Sequence, residues 1–567
     1  VAVLDGARRG ASAFQRKAFA LGRRALGLDV PAPDHTIAVL HSAESEVPGL
    51  NRKETVQLDR IRLLGATGTV LMAISALGIG AQPVQQNPTS GMRVLGLFAR
   101  AHTGSLAMCM IGTVVVVLAW LLLGRFAIGG LGGSPVHRLT RSQLDRTVLL
   151  WIIPLSIAPP LFSNDVYSYL AQSEIAERGL DPYIVGPKAG LGVDNVLTRN
   201  VPTIWLGTPA PYGPLFLWMG RGIAYLTGDN IIFGVWAHRV LALAGVALIV
   251  WALPRLSVRC GVAPVSALWL GVANPLVLFH LVGGVHNDGL MLGLMLAGLE
   301  FCLRAIEDMH PFNGRAYAML IFGAIVMTMS SSIKFTSIIA LGFVGMALAR
   351  RWGANWRAVL ISAGMLGGVA IGTTLFITAA SGLSFGWIFT LGVANAVRSW
   401  MSLPTALGII TGFGGVLLGL GDHTTALLSI TRPIAAVVAG FLSLRMLFAT
   451  LTGRLHPVGA LGVALGAIVL LFPVVQPWYL LWAIVPLAAW ATRPAFRVPA
   501  IAFSAVVSVI LMPRGADLAV FQIVGAAIAT VIVSVLFIVL TRNVLPWRRE
   551  PGVSAPSHRA TPYGVAP

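Results

Sequence analysis

Residues 146–172 read RTVLLWIIPLSIAPPLFSNDVYSYLAQ, and the change of character at residue 163 decides what kind of molecule this is. An apolar stretch runs to Phe162 and gives way at once to Ser163-Asn164-Asp165-Val166-Tyr167-Ser168-Tyr169. Apolar segments of about 20 residues are membrane spans. A carboxylate at the mouth of a span, followed by an aromatic stretch, is a functional-site hypothesis by default. It puts a potential base at the membrane surface, where lipid-linked substrates present their headgroups.

The rest of the chain repeats this alternation. Of its 567 residues 56% are hydrophobic and only 11% are charged, with mean hydropathy +0.81. A soluble protein carries about 25% charged residues, so the composition calls for an all-α polytopic membrane protein. Residues 1–57 are polar and basic and lack the short apolar core of a signal peptide. The net charge of +19 comes from 40 basic and 21 acidic residues, and only Lys17, Lys53, Lys188 and Lys334 are lysines. Basic loops fix topology and meet anionic lipid headgroups, so no nucleic-acid partner is implied. Cys109, Cys260 and Cys302 fall in spans or short loops, which points to neither a disulfide nor a metal cluster.

About 13–14 spans are expected, at 58–80, 104–124, 146–162, 231–253, 264–282, 289–304, 316–333, 335–349, 358–380, 425–448, 457–473, 479–491, 498–512 and 518–541. Arginine-bearing loops such as Arg138/Arg141/Arg146, Arg255/Arg259 and Arg350/Arg351/Arg357 then belong in the cytoplasm. Both termini follow them there, in a multi-pass protein of the plasma membrane. Residues 214–226 and 403–420 break the alternation if they cross, so they are expected as juxtamembrane or re-entrant helices on the outer face. The expected organisation is a tail at 1–57, a transmembrane domain at 58–541 with outer loops 163–230 and 381–424, and a tail at 542–567, both tails disordered.

Each candidate site has a bland alternative. Asp165 is either a general base that takes a hydroxyl proton or, with Asn164, a helix N-cap. Tyr167 and Tyr169 either line a sugar cleft or belong to the interfacial aromatic belt. His286-Asn287-Asp288 would bind phosphate or sugar, or Asn287 and Asp288 would cap the next helix. Arg239, Lys334 and Arg398 would neutralise a leaving phosphate, or snorkel to headgroups. Gln476-Pro477-Trp478-Tyr479 and Trp482 read first as aromatic belt and second as a cleft wall for a polyprenyl chain. No phosphate loop of the Gly-x-x-x-x-Gly-Lys type and no spaced set of three metal ligands occurs.

Taken together, SNDVYSYLAQ (Ser163–Gln172), GLDPY (Gly179–Tyr183), TPAPYGPLF (Thr208–Phe216, with Tyr212), GGVHNDGL (Gly283–Leu290) and QPWY (Gln476–Tyr479) resemble the polyprenol-phosphomannose-dependent α-1,6-mannosyltransferases of actinobacteria, which are GT-C glycosyltransferases. The likeness covers about residues 58–541, and LGATGTVLM (Leu64–Met72) is similar to the MptB-type branch more than to its MptA-type sister. The resemblance implies a GT-C fold, a polyprenyl-phosphate-mannose donor and a mannosylated glycolipid acceptor, the α-1,6-mannan core of lipomannan and lipoarabinomannan. It places a catalytic carboxylate in the first large outer loop, where Asp165 stands. Many GT-C enzymes carry two adjacent acids there, whereas this chain has Asn164-Asp165. That departure favours a single base, with no metal and no other cofactor.

The expected mechanism is inversion. Asp165 takes the acceptor hydroxyl proton, and polyprenyl phosphate leaves beside some of Arg239, His286, Lys334 and Arg398, with Asn287, Asp288, Tyr167, Tyr169 and Tyr212 as further binding residues. The alternatives are a GT-C enzyme using another polyprenyl-phospho-sugar, or a lipid-sugar flippase. A flippase needs polar groups near the bilayer midplane, whereas here only Glu300 and Arg432 lie away from the outer ends.

Overall fold

The computed structural model describes residues 39–129, 135–393, 397–513 and 516–547. Of the two expected tails, residues 1–38 and 548–567 lie outside the described residues.

The regular elements of the described residues are all helices, with one isolated bridge between Gly49 and Arg138. Helices α1 (Arg52–Ile79), α2 (His102–Ala127) and α3 (Arg141–Ile157) lead into the first large insertion, which holds α4 (Asp165–Glu177) and α5 (Pro214–Thr227). Next come α6 (Ile231–Arg259), α7 (Pro264–Gly271) with a π-helical stretch at Val277–Gly283, and α8 (Asp288–Leu303) with a π-helical turn at Arg304–Asp308. Then follow α9 (Gly314–Ser331), α10 (Ile339–Arg351), α11 (Trp356–Ser381), α12 (Leu403–Leu417) and α13 (Thr424–Leu451). The chain ends with α14 (Pro457–Leu471), α15 (Leu480–Ala488), α16 (Pro494–Ile510) and α17 (Val520–Thr541).

Among the described residues, eight helices are long and apolar enough to cross a membrane by themselves: α1, α2, α6, α8 with its extension, α9, α11, α13 and α17. The protein is therefore an all-α multi-pass membrane protein. The remaining expected spans are shorter or broken helices. The stretch 264–282 is one of these, because Asn274-Pro275 interrupts it. Pro275 cannot donate to the helix ladder, and the Asn274 side chain takes over, accepting from Leu276 N at 2.9 Å and donating to Leu270 O at 3.0 Å.

Glycines bring the central helices together. A Cβ on Gly245 of α6 would lie 2.2 Å from the backbone of Gly289, and one on Gly293 of α8 would lie 2.4 Å from Gly245 O. Such close backbone approach is the usual way helices associate where lipid is as apolar as leucine. Accordingly α8 has 83% of its apolar window buried and sits at the centre, while α17, with 11%, is peripheral.

Residues 39–57, expected as part of a disordered tail, have a defined course instead. Leu40 O accepts from Thr492 N and Arg493 N at 2.8 and 3.0 Å, and the His41 ring stacks on Trp490. Glu44 takes an ion pair from Arg497 at 2.8 Å and a hydrogen bond from Ala263 N at 3.0 Å. Asn51 then starts α1 through a reciprocal capping box with Glu54. The polar composition that read as disorder is the polar half of these pairings.

Candidate functional site

The site grows from two strained loops. Helix α3 ends at Ile157, and Ala158-Pro159-Pro160 prevents its continuation. Phe162 then adopts φ +64°, and Val285, after the π-helical stretch, adopts φ +59°. Positive φ is a genuine outlier for a β-branched residue, and each such residue costs about 1–3 kcal/mol. The two loops are tied by Leu161 N donating to Gly283 O at 3.1 Å. The outcome is that Ser163–Asp165 and His286–Asp288 come to the same place.

Asp165 is the first residue of α4, with the positive end of the helix dipole beneath it. The Ser163 hydroxyl accepts from Asp165 N at 3.1 Å, while Asn164, at the N-cap, makes no side-chain cap bond. The Asp165 carboxylate is 25% exposed and has Nδ1 of His286 at 3.8 Å from Oδ2. It faces a cavity of about 730 Å³, a volume typical of ligand sites.

Lys334 faces the same cavity from the turn after α9. Its ammonium lies 2.6 Å from Asp288 Oδ2, and Trp482 Nε1 donates to Asp288 Oδ1 at 2.8 Å. Asp288 therefore starts α8 as the partner of a cation and an indole rather than as a simple cap. The Lys334 ammonium also stands over the Tyr479 ring, 5.0 Å from its centroid, where cation–π attraction holds it.

Tyr212 lines the cavity, and Tyr169 stands behind it, edge-on at 5.2 Å. Burial first, and then the Asp165 and Asp288 carboxylates, pushes both tyrosines well above their usual range; the Tyr212 hydroxyl adds to the rise at Tyr169, whereas the bond with Tyr169 acts in the opposite sense on Tyr212. Both remain neutral donors. The lining also includes the apolar side chains of Phe335, Ile338, Ile468, Phe472, Leu511 and Met512.

The structure separates other expected site residues from the cavity. Arg239 is buried in α6, and its Nη1 donates to Ser156 O at 3.0 Å and Ala158 O at 2.7 Å, closing the carbonyl end of α3. The Tyr167 hydroxyl donates to Ala81 O, tying α4 to the end of α1. Arg398 is exposed and donates to Thr425 Oγ1 at 3.1 Å. His286 and Asn287 are buried behind the cavity wall. Conversely, Trp478, Tyr479 and Trp482, which read as an aromatic belt, line the cavity, as do Ser163 and Trp205. Their signal was the Gln476–Tyr479 motif, whereas nothing in the sequence marks Trp205.

Fold and cavity together define a polytopic membrane protein with a cavity lined by both polar and apolar side chains. The family described as "Alpha-(1->6)-mannopyranosyltransferase, N-terminal domain" matches residues 62–350, and the "MptB C-terminal domain" matches residues 404–539. A probable α-(1→6)-mannopyranosyltransferase of Mycolicibacterium smegmatis is 55% identical, over 91% of this chain and 94% of the relative. The α-(1→6)-mannopyranosyltransferase of Mycobacterium tuberculosis is 53% identical, over 90% and 93%. α-(1→6)-Mannopyranosyltransferase B of Corynebacterium glutamicum is 40% identical, over 84% and 80%. No solved structure matches. The chain belongs to the α-(1→6)-mannopyranosyltransferase family, on its MptB-type branch.

Proposed function

We propose that this chain transfers mannose from polyprenyl-phosphate-mannose to the 6-hydroxyl of an α-1,6-mannan acceptor at the outer face of the plasma membrane, with Asp165 as general base. The observation that carries this reading is one cavity with two characters. Its lining carries the polar side chains of Asp165, Tyr212 and Lys334 and, beside them, the apolar side chains of Phe335, Ile338 and Phe472. A sugar phosphate on a polyprenyl chain has the same two characters.

The acceptor oxygen attacks the anomeric carbon of the β-linked donor while its proton passes to Asp165. The bond from that carbon to the phosphate oxygen breaks, and the α-linked product has inverted stereochemistry. Lys334 stands where it can neutralise the departing phosphate. Holding donor and acceptor in one cavity supplies proximity.

The Asn164-Asp165 pair offers one carboxylate, and Asp288 is already engaged by Lys334 and Trp482. That is a poor oxygen-ligand set for a divalent cation, so transfer is proposed to need none. The arginines of 138–146, 255–259 and 350–357 support a cytoplasmic placement of their end of the bundle. The cavity then faces outside, as do residues 403–420. An impermeant thiol reagent should label Asp422→Cys in whole cells, and labelling only after permeabilisation would reverse this orientation.

The test is mannose transfer by purified protein, from synthetic polyprenyl-phosphate-mannose to an α-1,6-mannoside. Wild type should form product with or without a chelator. Asp165→Asn should be slower by about 10²–10⁴-fold. Full activity of Asp165→Asn would place the base elsewhere.

A further inference from the structure

His286 makes no contact with the cavity surface that would let it meet a phosphate directly. Its side chain is fully buried, stacked on Trp478 at 3.6 Å between ring centroids and inclined 25°. Neither ring nitrogen has a hydrogen-bond partner, an arrangement that is costly and calls for an explanation. The acceptor standing nearby is Oδ2 of Asp165, 3.8 Å from Nδ1. Hydrogen bonds between catalytic groups are often long without substrate and tighten in the reacting complex.

We propose that His286 is a positioning residue for Asp165: its Nδ1–H is held against Oδ2 and fixes the orientation in which the carboxylate receives the acceptor proton. Trp478 fixes the ring plane, and the strained backbone at Val285 fixes the depth at which the ring emerges. This inference rests on Asp165 as the base. It removes His286 from the groups that bind phosphate. The other titratable and charged groups around the pair are Tyr169 and Tyr212 on the α4–α5 side, Tyr479, Lys334 with its partner Asp288, and His280 behind His286.

Three variants test it in the mannose-transfer assay, each first checked for a monodisperse size-exclusion profile. His286→Phe keeps the stacking on Trp478 and removes both nitrogens. His286→Asn keeps a donor near the Nδ1 position. His286→Gln, whose donor reaches the Nε2 side, replaces Phe if that variant does not fold. For Phe or Gln, kcat should fall about ten- to a hundredfold, the worth of one hydrogen bond to a charged group. Donor KM should stay unchanged, and the acidic limb of the rate profile should move to higher pH. His286→Asn should recover most of the loss, and His286→Phe should have no further effect in the Asp165→Asn background. A raised donor KM with an unmoved acidic limb would show phosphate binding and overturn the proposal, as would additive losses with Asp165→Asn. Should Asp165→Asn itself retain full activity, the underlying assignment of the base fails instead, and that result is read before any His286 variant.

Discussion

The Lys334 ammonium lies 2.6 Å from Oδ2 of Asp288, a carboxylate that is fully buried while the lysine keeps 14% of its side chain exposed. A buried ion pair adds little net stability over an apolar pair, but removing one partner leaves an uncompensated charge. Lys334→Met should therefore destabilise the protein by about 3–5 kcal/mol. Lys334→Met with Asp288→Asn should regain much of that loss while remaining poor in mannose transfer. Thermal unfolding in detergent of the two single variants and the double variant checks this. Additive losses would mean that the pair is not coupled.

Arg239 has a different role from Lys334 although both are cations near the same loop. It holds the last carbonyls of α3. Arg239→Met should cost about 1.5–3 kcal/mol, the worth of hydrogen bonds made by a charged donor. Donor KM in the surviving folded fraction should be that of wild type. A donor KM raised tenfold or more without loss of melting temperature would return Arg239 to the substrate.

Burial favours the neutral form of Tyr169, so its folded-state pKa lies above the unfolded value near 10.0. Above that value the unfolded chain releases a proton that the folded chain keeps, and stability falls as pH rises. Below it the group has no pH effect. Melting temperature should decline more steeply from about pH 10 upward in wild type than in Tyr169→Phe. Parallel declines would remove Tyr169 from the account.

Glu44 meets Arg497 at 2.8 Å and Arg138 at 3.8 Å, and each of the three side chains is 9% exposed. Glu44→Ala strands two guanidinium groups and should lower stability by about 3 kcal/mol, the lower range for a broken buried pair. Glu44→Gln, which can still accept from Ala263 N, should fall between wild type and Ala in the same melt. Equal melting of all three proteins would make the segment a passenger.

The sequence shows the location of the helices far better than it shows their neighbours. Spans such as α1, α2 and α6 stand out because lipid demands a long apolar run. The same demand hides which face of α8 meets α6, since lipid-facing and helix-facing residues are equally apolar. Trp478 read as belt for this reason: an indole at a span end has the same sequence context whether it faces headgroups or a cavity. Asp165 and Lys334 were legible because a charge among apolar residues is conspicuous, and both face the cavity. Arg239 was equally conspicuous, but the carbonyls that hold it belong to a helix 80 residues earlier, a pairing that no local pattern reveals. Trp205 carries no charge and no periodicity, and it reaches the cavity only through the turns of the 163–230 insertion.

The ordered segment beginning near Leu40 has its docking partners at Trp490–Arg493 and Arg497, about 450 residues later. A ribosome emits these two regions far apart in time. The earlier segment must therefore wait at the membrane until α15 and α16 have been inserted. Only then does this seam close, so the settling of the Leu40–Glu44 segment is a report that α15 and the start of α16 have arrived.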